Sequence, residues 1–199
     1  MSPAPRAPWW ELVQRDPASM ADHTPAWTDA ITASGPYRDA SRLYELSDGR
    51  RYVLPLVQRR GPGRVAGLSA SFPEGWGFGG LVGPAKDASV VRLVLEDLAG
   101  RRDVHTRIRP DPLDEAIWAE GAPPQVVTTA KRAHVLDLRP GVEALHAGLH
   151  PSARRALRKA ERAGVQVIGE AGPAQLDEYY RLYERSLTRW ASASHEPVW

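Results

Sequence analysis

Apolar positions along the chain recur at two different spacings. In "DASVVRLVLEDLAG", Val90, Val91, Val94, Leu95 and Leu98 return at helical intervals, predicting a helix with Asp87 as N-cap and Gly100 as stop. "HTPAWTDAITASG" predicts a second helix, with Thr24 as N-cap, Pro25 at the first helical position and Gly35 past the end. "WWELVQRD" suits a short helix, and residues 1–8, rich in proline and alanine, are expected to be loose. In "ASRLYELSDGRRYVLPLVQRR" two apolar or alternating runs flank Asp48-Gly49, a dipeptide suited to a tight turn, so a hairpin is predicted. "RVAGLSASF" and "WGFGGLVG" read as a broken strand or strand pair. "DVHTRIRP" reads as a strand, "DPLDEAIWAEG" as a short helix, and "QVVTTAKRAHVLDL" as a long strand or a hairpin.

A different pattern follows. "PGVEALHAGLH" reads as a linker into "HPSARRALRKAERAGVQV". There Ala153, Ala156, Leu157, Ala160 and Ala163 share an arc of roughly 120° on a helical wheel. Arg154, Arg155, Arg158, Lys159 and Arg162 occupy the opposite side. Gly164 stops this helix, "VQVIGE" is read as a strand, and "PAQLDEYYRLYERSLTRW" starts another amphipathic helix.

Composition narrows the class. A chain of 199 residues with 42% hydrophobic positions can build one large domain or two small ones, and is globular rather than disordered. The net charge of +2 excludes a histone-like polycation, so local clustering of charge is the better guide. Without cysteine there are no disulfides, thiolate metal sites or cysteine nucleophile. No signal-peptide core and no membrane-length apolar run occurs, so a soluble cytoplasmic protein is expected.

Several segments carry candidate chemistry. The basic helix admits two accounts: a solvated face, or a surface whose forked guanidiniums bind phosphate or pyrophosphate. It lacks a helix-turn-helix partner and a zipper face, so no DNA is expected as ligand. "GLSAS" has half of a G-x-S-x-G elbow on a predicted strand and offers no serine nucleophile. Glu143, His146 and His150 have near-ligand spacing but read as linker residues, and no metal is expected. "GWGFGGLVGPAKD" precedes a helix without a phosphate-loop or dinucleotide spacing, and Trp76 and Phe78 are candidates to line a cleft there. Tyr37 is a further cleft candidate. Tyr179, Tyr183 and Ser186 share one helix face, as a core stripe or as substrate lining.

The run "SARRALRKAERAGVQV" followed by "LDEYYRLYERSLTRW" resembles the FemAB-like branch of the GNAT acyltransferases. "HTPAWTDAI", the hairpin and "GFGGLVGP" resemble the first unit of the same tandem architecture. The resemblance implies an α/β (α+β) fold with a GNAT-like mixed, largely antiparallel sheet flanked by helices. It places a first unit over 9–139, a linker over 140–151, and only the start of a second unit over 152–199. It implies transfer of an acetyl or aminoacyl group to an amine of an anionic acceptor, such as a nucleotide- or lipid-pyrophosphate cell-wall precursor. Acyl-CoA or aminoacyl-tRNA would be the donor substrate, with tRNA as a partner and no tightly bound cofactor. Arg154, Arg155, Arg158 and Lys159 would contact the anion, and Tyr37, Trp76 and Phe78 would line the cleft. The pyrophosphate loop of CoA-binding GNATs is missing before the helix that Asp87 starts, so this unit is not expected to bind CoA in the usual way. Neither residues nor resemblance designate a catalytic base. The rival expectations are a non-catalytic binding or scaffold module and an RNA-binding module.

Overall fold

The computed structural model describes residues 1–59, 68–101, 105–167, 169 and 172–193. It divides into two compact units, Met1–Val135 and Leu136–Trp199. The first is α+β, with a mostly antiparallel sheet and helices packed on it; the second is helical in its described residues.

The first unit opens with α1 (Arg6–Arg15) and α2 (Pro25–Ser34). Thr24 caps α2 as its sequence requires, its hydroxyl accepting from the Trp27 amide at 3.3 Å. Four strands follow: β1 (Tyr37–Asp39), β2 (Arg42–Glu45), β3 (Arg51–Leu54) and β4 (Val57–Arg59). β1 pairs with β4 and β2 with β3, both antiparallel and in one continuous register, so the four strands are a single hairpin. Its turn is Asp48-Gly49, with Gly49 at φ +84°. The ladder breaks opposite Ala40-Ser41, where Pro55 has no N–H to donate. β5 (Leu68–Ala70) pairs antiparallel with β4 and parallel with β6 (His105–Arg107), giving the sheet order β1-β4-β5-β6. The beginnings of two predicted strands, Arg64–Gly67 and Asp103–Val104, lie outside the described residues.

Alternation along β3 divides the core. Tyr52 and Leu54 face α3 (Ala88–Ala99), whose stripe Val90, Val91, Val94, Leu95 and Leu98 is buried with Trp118 of α4 (Glu115–Gly121). Val53 faces the other way, onto Trp9 and Leu12 of α1 with Leu43 and Val82. Asp87 caps α3, accepting from the Val90 amide at 3.0 Å. A smaller cluster joins Ile31, Val57 and Phe72, with Trp27 and Tyr37 at its margin.

Three expectations for residues 1–138 change. The N-terminal residues are not loose: the Met1 ammonium donates to the Leu43 carbonyl at 2.8 Å, the Ala4 amide donates to Ser41 Oγ at 3.1 Å, and Ala4 is buried. The short helix begins at Arg6, because buried Trp9 and Leu12 hold its inner face. The stretch 125–138 is neither strand nor hairpin; Val127, Val135, Leu136 and Leu138 are exposed there without a pairing partner. Its β-branched residues satisfy strand propensity, but a strand needs a neighbour to accept its hydrogen bonds.

The second unit contains α5 (Val142–Gly148), α6 (Pro151–Arg162) and α7 (Pro173–Ala193). The expected linker over 140–151 is thus itself helical, starting after Gly141 at φ +84°. His150 caps α6, Pro151 follows at its first position, and Gly164 at φ +70° ends it. Val165, Gln166 and Val167 are exposed and irregular rather than a strand; Ile168 and Glu170 of that predicted strand lie outside the described residues.

Candidate functional site

The four cations singled out from sequence share one side of α6. Arg154 and Arg158 are one turn apart, as are Arg155 and Lys159, so the four charges form a continuous stripe. Arg154 Nη1 donates to the Ala147 carbonyl at 2.7 Å and ties α6 to the end of α5. Among the described residues no carboxylate lies within salt-bridge distance of Arg154, Arg155, Arg158 or Lys159. The apolar side of the helix is not buried; Leu157 is 43% exposed.

His150 Nδ1 faces the Ser152 hydroxyl at 2.7 Å and accepts from the Ser152 amide at 3.4 Å, so this imidazole is occupied as a cap. Among the described residues no group of three or more His, Asp or Glu side chains gathers as a metal ion requires. On α7, Tyr179 and Tyr183 stack with centroids 6.1 Å apart, and both are exposed. The Ser186 hydroxyl donates to the Leu182 carbonyl at 3.0 Å, leaving it a helix-internal role. The core stripe read from these three residues is therefore not a core in this unit.

The aromatic candidates lie in the first unit, Tyr37 just past the end of α2, and Trp76 and Phe78 beside its start. Tyr37 packs at the margin of the Ile31–Val57–Phe72 cluster, its ring against Gly35 where a Cβ would sit 2.9 Å away. Trp76 is exposed at 42%, and its carbonyl accepts from Trp27 Nε1 at 2.9 Å. The Phe78 amide donates to Asp22 Oδ2 at 2.8 Å. Gly77 between them has φ +107°, and a Cβ there would meet the Asp22 carboxylate at 2.3 Å. These contacts give the glycine-rich loop a packing role. "GLSAS" is likewise structural: Ser69 is buried on β5, and the Ser71 hydroxyl accepts from the Arg109 amide at 3.2 Å.

A cleft of about 320 Å³ opens elsewhere in the first unit and includes none of Tyr37, Trp76 or Phe78. Its walls come from β1, β2, β4, the N-terminal residues and the end of α3. Arg38, Arg42 and Arg101 line it above Leu56 and Leu98. Arg38 Nε donates to Gln58 Oε1 at 2.6 Å, and its Nη2 bonds the same oxygen. Arg42 Nε lies 3.1 Å from the Tyr44 hydroxyl and 3.3 Å from Asp97 Oδ2. That hydroxyl in turn donates to Asp97 at 2.9 Å. Burial first, then the Asp97 carboxylate, pushes the Tyr44 phenol well above its ordinary value, so it stays protonated. Arg101 Nη1 stands 3.6 Å from the same Asp97. Sequence inspection overlooked all three arginines. The sequence signal for them is the four-residue spacing of Arg38 and Arg42 along the first arm of the hairpin; Arg101 joins them through the packing of α3.

No helix among the described residues is long and apolar enough to cross a membrane. No protein-family model, curated protein or solved structure matches the chain.

Proposed function

We propose that this protein takes part in acyl transfer of the GNAT/FemAB type, delivering an acetyl or aminoacyl group to an amine of an anionic, cell-wall-precursor-like acceptor. In this reading α6 holds the anionic part of donor or acceptor. The observation that carries it is the stripe Arg154, Arg155, Arg158 and Lys159, which has no carboxylate within salt-bridge distance among the described residues. Guanidinium forks match phosphate oxygens in pairs, and lysine adds a point charge beside them. The α+β first unit and its antiparallel hairpin accord with the architecture that the resemblance implies.

The reaction asks that an amine nitrogen attack the donor's carbonyl carbon. A C–N bond forms, the thioester or ester bond breaks, the amine loses a proton and the leaving group gains one. A positioned base and donors for the developing oxyanion serve that step. Acyl-CoA or aminoacyl-tRNA is a substrate here, so neither needs to remain bound between turnovers. A scaffold role is the second reading, favoured by the exposed Leu176, Tyr179, Tyr183 and Leu187 on α7.

Thermal-shift measurements with acetyl-CoA, a UDP-linked muropeptide and tRNA test the proposal, followed by a transfer assay with whichever stabilises. Arg155→Glu with Arg158→Glu is expected to abolish that stabilisation while leaving the unliganded protein within about 1 kcal/mol, as surface changes do. Binding that survives the double substitution would remove α6 from the site. Affinity for tRNA that falls steeply with salt would support the RNA-dependent form of the reaction. A cooperatively melting protein that none of the three shifts would favour the scaffold.

A further inference from the structure

We infer that the cleft between the hairpin and the end of α3 binds a small organic anion, with an oxyanion head on the arginines and a short aliphatic body on Leu56 and Leu98. This inference is independent of acyl transfer and of α6.

Charge is the first ground. Three guanidiniums converge from β1, β2 and the end of α3, and one carboxylate, Asp97, is shared between Arg42 and Arg101. Asp39 also lines the cleft but is already engaged: Arg6 Nη1 donates to its Oδ2 at 2.8 Å and the Ser41 amide to its Oδ1 at 2.8 Å. Among the described residues Arg38 makes no ion pair; its guanidinium bonds the neutral Gln58 amide and keeps its positive charge in the cleft. A cation held by a neutral partner attracts a mobile anion more strongly than one already in an ion pair.

Donor geometry is the second ground. Gln58 takes the Nε and Nη2 edge of Arg38, and among the described residues nothing bonds its Nη1. Arg42 uses Nε on Tyr44 and Asp97, and its guanidinium lies 5.6 Å from the Tyr44 ring centroid; among the described residues neither terminal nitrogen has a hydrogen-bond partner. Arg101 reaches Asp97 only at 3.6 Å, beyond a good hydrogen bond. Donors of this kind, preset by neighbours and unspent, satisfy an oxyanion from several sides.

Shape is the third. The space, about 320 Å³, is of small-ligand size, and the edges of Leu56 and Leu98, both nearly buried, give it a small apolar floor. Leu56 and Leu98 are anchored in the main core, so this wall is rigid.

Calorimetric titration of the full chain with butyrate, butyl phosphate, inorganic phosphate and butanol tests the inference and separates a carboxylate from a phosphate head. Butyrate or butyl phosphate should bind in a background of chloride, and butanol should not. Arg38→Gln and Arg101→Gln, both at exposed side chains, should each weaken the binding about tenfold, the loss of one charge-assisted pair. Both variants should keep the parent melting temperature. The Arg155→Glu, Arg158→Glu protein should bind as the parent does, which keeps this result apart from that of α6. Absence of heat with every anion, equal affinity in Arg38→Gln and Arg101→Gln, or an equal loss in the α6 variant would each overturn the assignment.

Discussion

Helices α3 and α7 carry the same kind of apolar stripe and meet different fates. On α3, Val90, Val91, Val94, Leu95 and Leu98 are all buried against β3 and α4. On α7, Leu176, Tyr179, Leu182, Tyr183 and Leu187 are exposed. More broadly, the first unit buries Trp9, Tyr52 and Val94 completely, whereas none of residues 136–167, 169, 172 and 175–190 is buried. Amphipathicity gives a helix a side to bury, but burial contributes free energy only when a partner surface removes that side from water. Local terms remain for α7: Arg181 Nε donates to Glu178 at 2.8 Å, and Tyr179 stacks on Tyr183. Each such pair is worth only a few tenths of a kcal/mol.

The sharpest way to break this contrast is to truncate one side chain on each side of it. Trp9 is fully buried, and its Nε1 donates to the His23 carbonyl at 2.8 Å. Trp9→Ala should therefore cost about 3–5 kcal/mol by urea denaturation. Leu182→Ala should stay within about 0.5 kcal/mol. Comparable losses from the two would mean that α7 is buried in solution.

Charge in the first unit supplies the next test. Lys86 Nζ lies 2.8 Å from Asp114 and 3.2 Å from Asp16, with all three side chains largely enclosed. Lys86→Ala leaves two carboxylates without their cation and should cost about 3 kcal/mol. Burial opposes the charge on Lys86, but Asp114 and Asp16 together outweigh it and hold the pKa above 10.5. A raised cationic pKa stabilises fully below 10.5 and is lost as pH climbs through the folded value. Unfolding free energy should thus fall above pH 10.5, and Lys86→Ala should show less of that fall. An identical slope in both proteins would refute the ion-pair account.

Two glycines sharpen the contrast at smaller scale. A Cβ at Gly121 would sit 2.6 Å from the Ala88 carbonyl and 2.8 Å from Val91, so Gly121→Ala should destabilise by about 1–3 kcal/mol. At Gly148, the last residue of α5, a Cβ meets nothing within 4 Å. Gly148→Ala should raise far-ultraviolet helical signal slightly, with a gain of up to about 1 kcal/mol for that helix. Thr24→Ala should cost about 1 kcal/mol by losing the cap on α2, measurable as a shift in thermal midpoint.

Legibility follows the range of the interaction. Thr24, Asp87, Gly100 and Gly164 punctuate their helices because caps act within four residues, and the Asp48-Gly49 turn is equally local. The cationic stripe of α6 is legible for the same reason, since helical period alone places Arg154, Arg155, Arg158 and Lys159 together. Longer-range features were opaque. Nothing near 125–138 in the sequence announces that no strand will pair with it, and nothing near Val165 announces the same. Trp76 and Phe78 looked available for a ligand because aromatic character does not reveal that Trp27 and Asp22 hold the backbone around them.

By itself the sequence determined where helices begin and end, which of their faces is apolar, where the hairpin turns and that one helix bears a stripe of cations. Only the tertiary structure decided which apolar faces are covered, that the N-terminal residues are pinned beside β2, and that Arg38, Arg42 and Arg101 share a cleft. The reason is physical: caps, turns and helical period are written in neighbouring residues, whereas burial and convergent charge depend on surfaces brought together from distant parts of the chain.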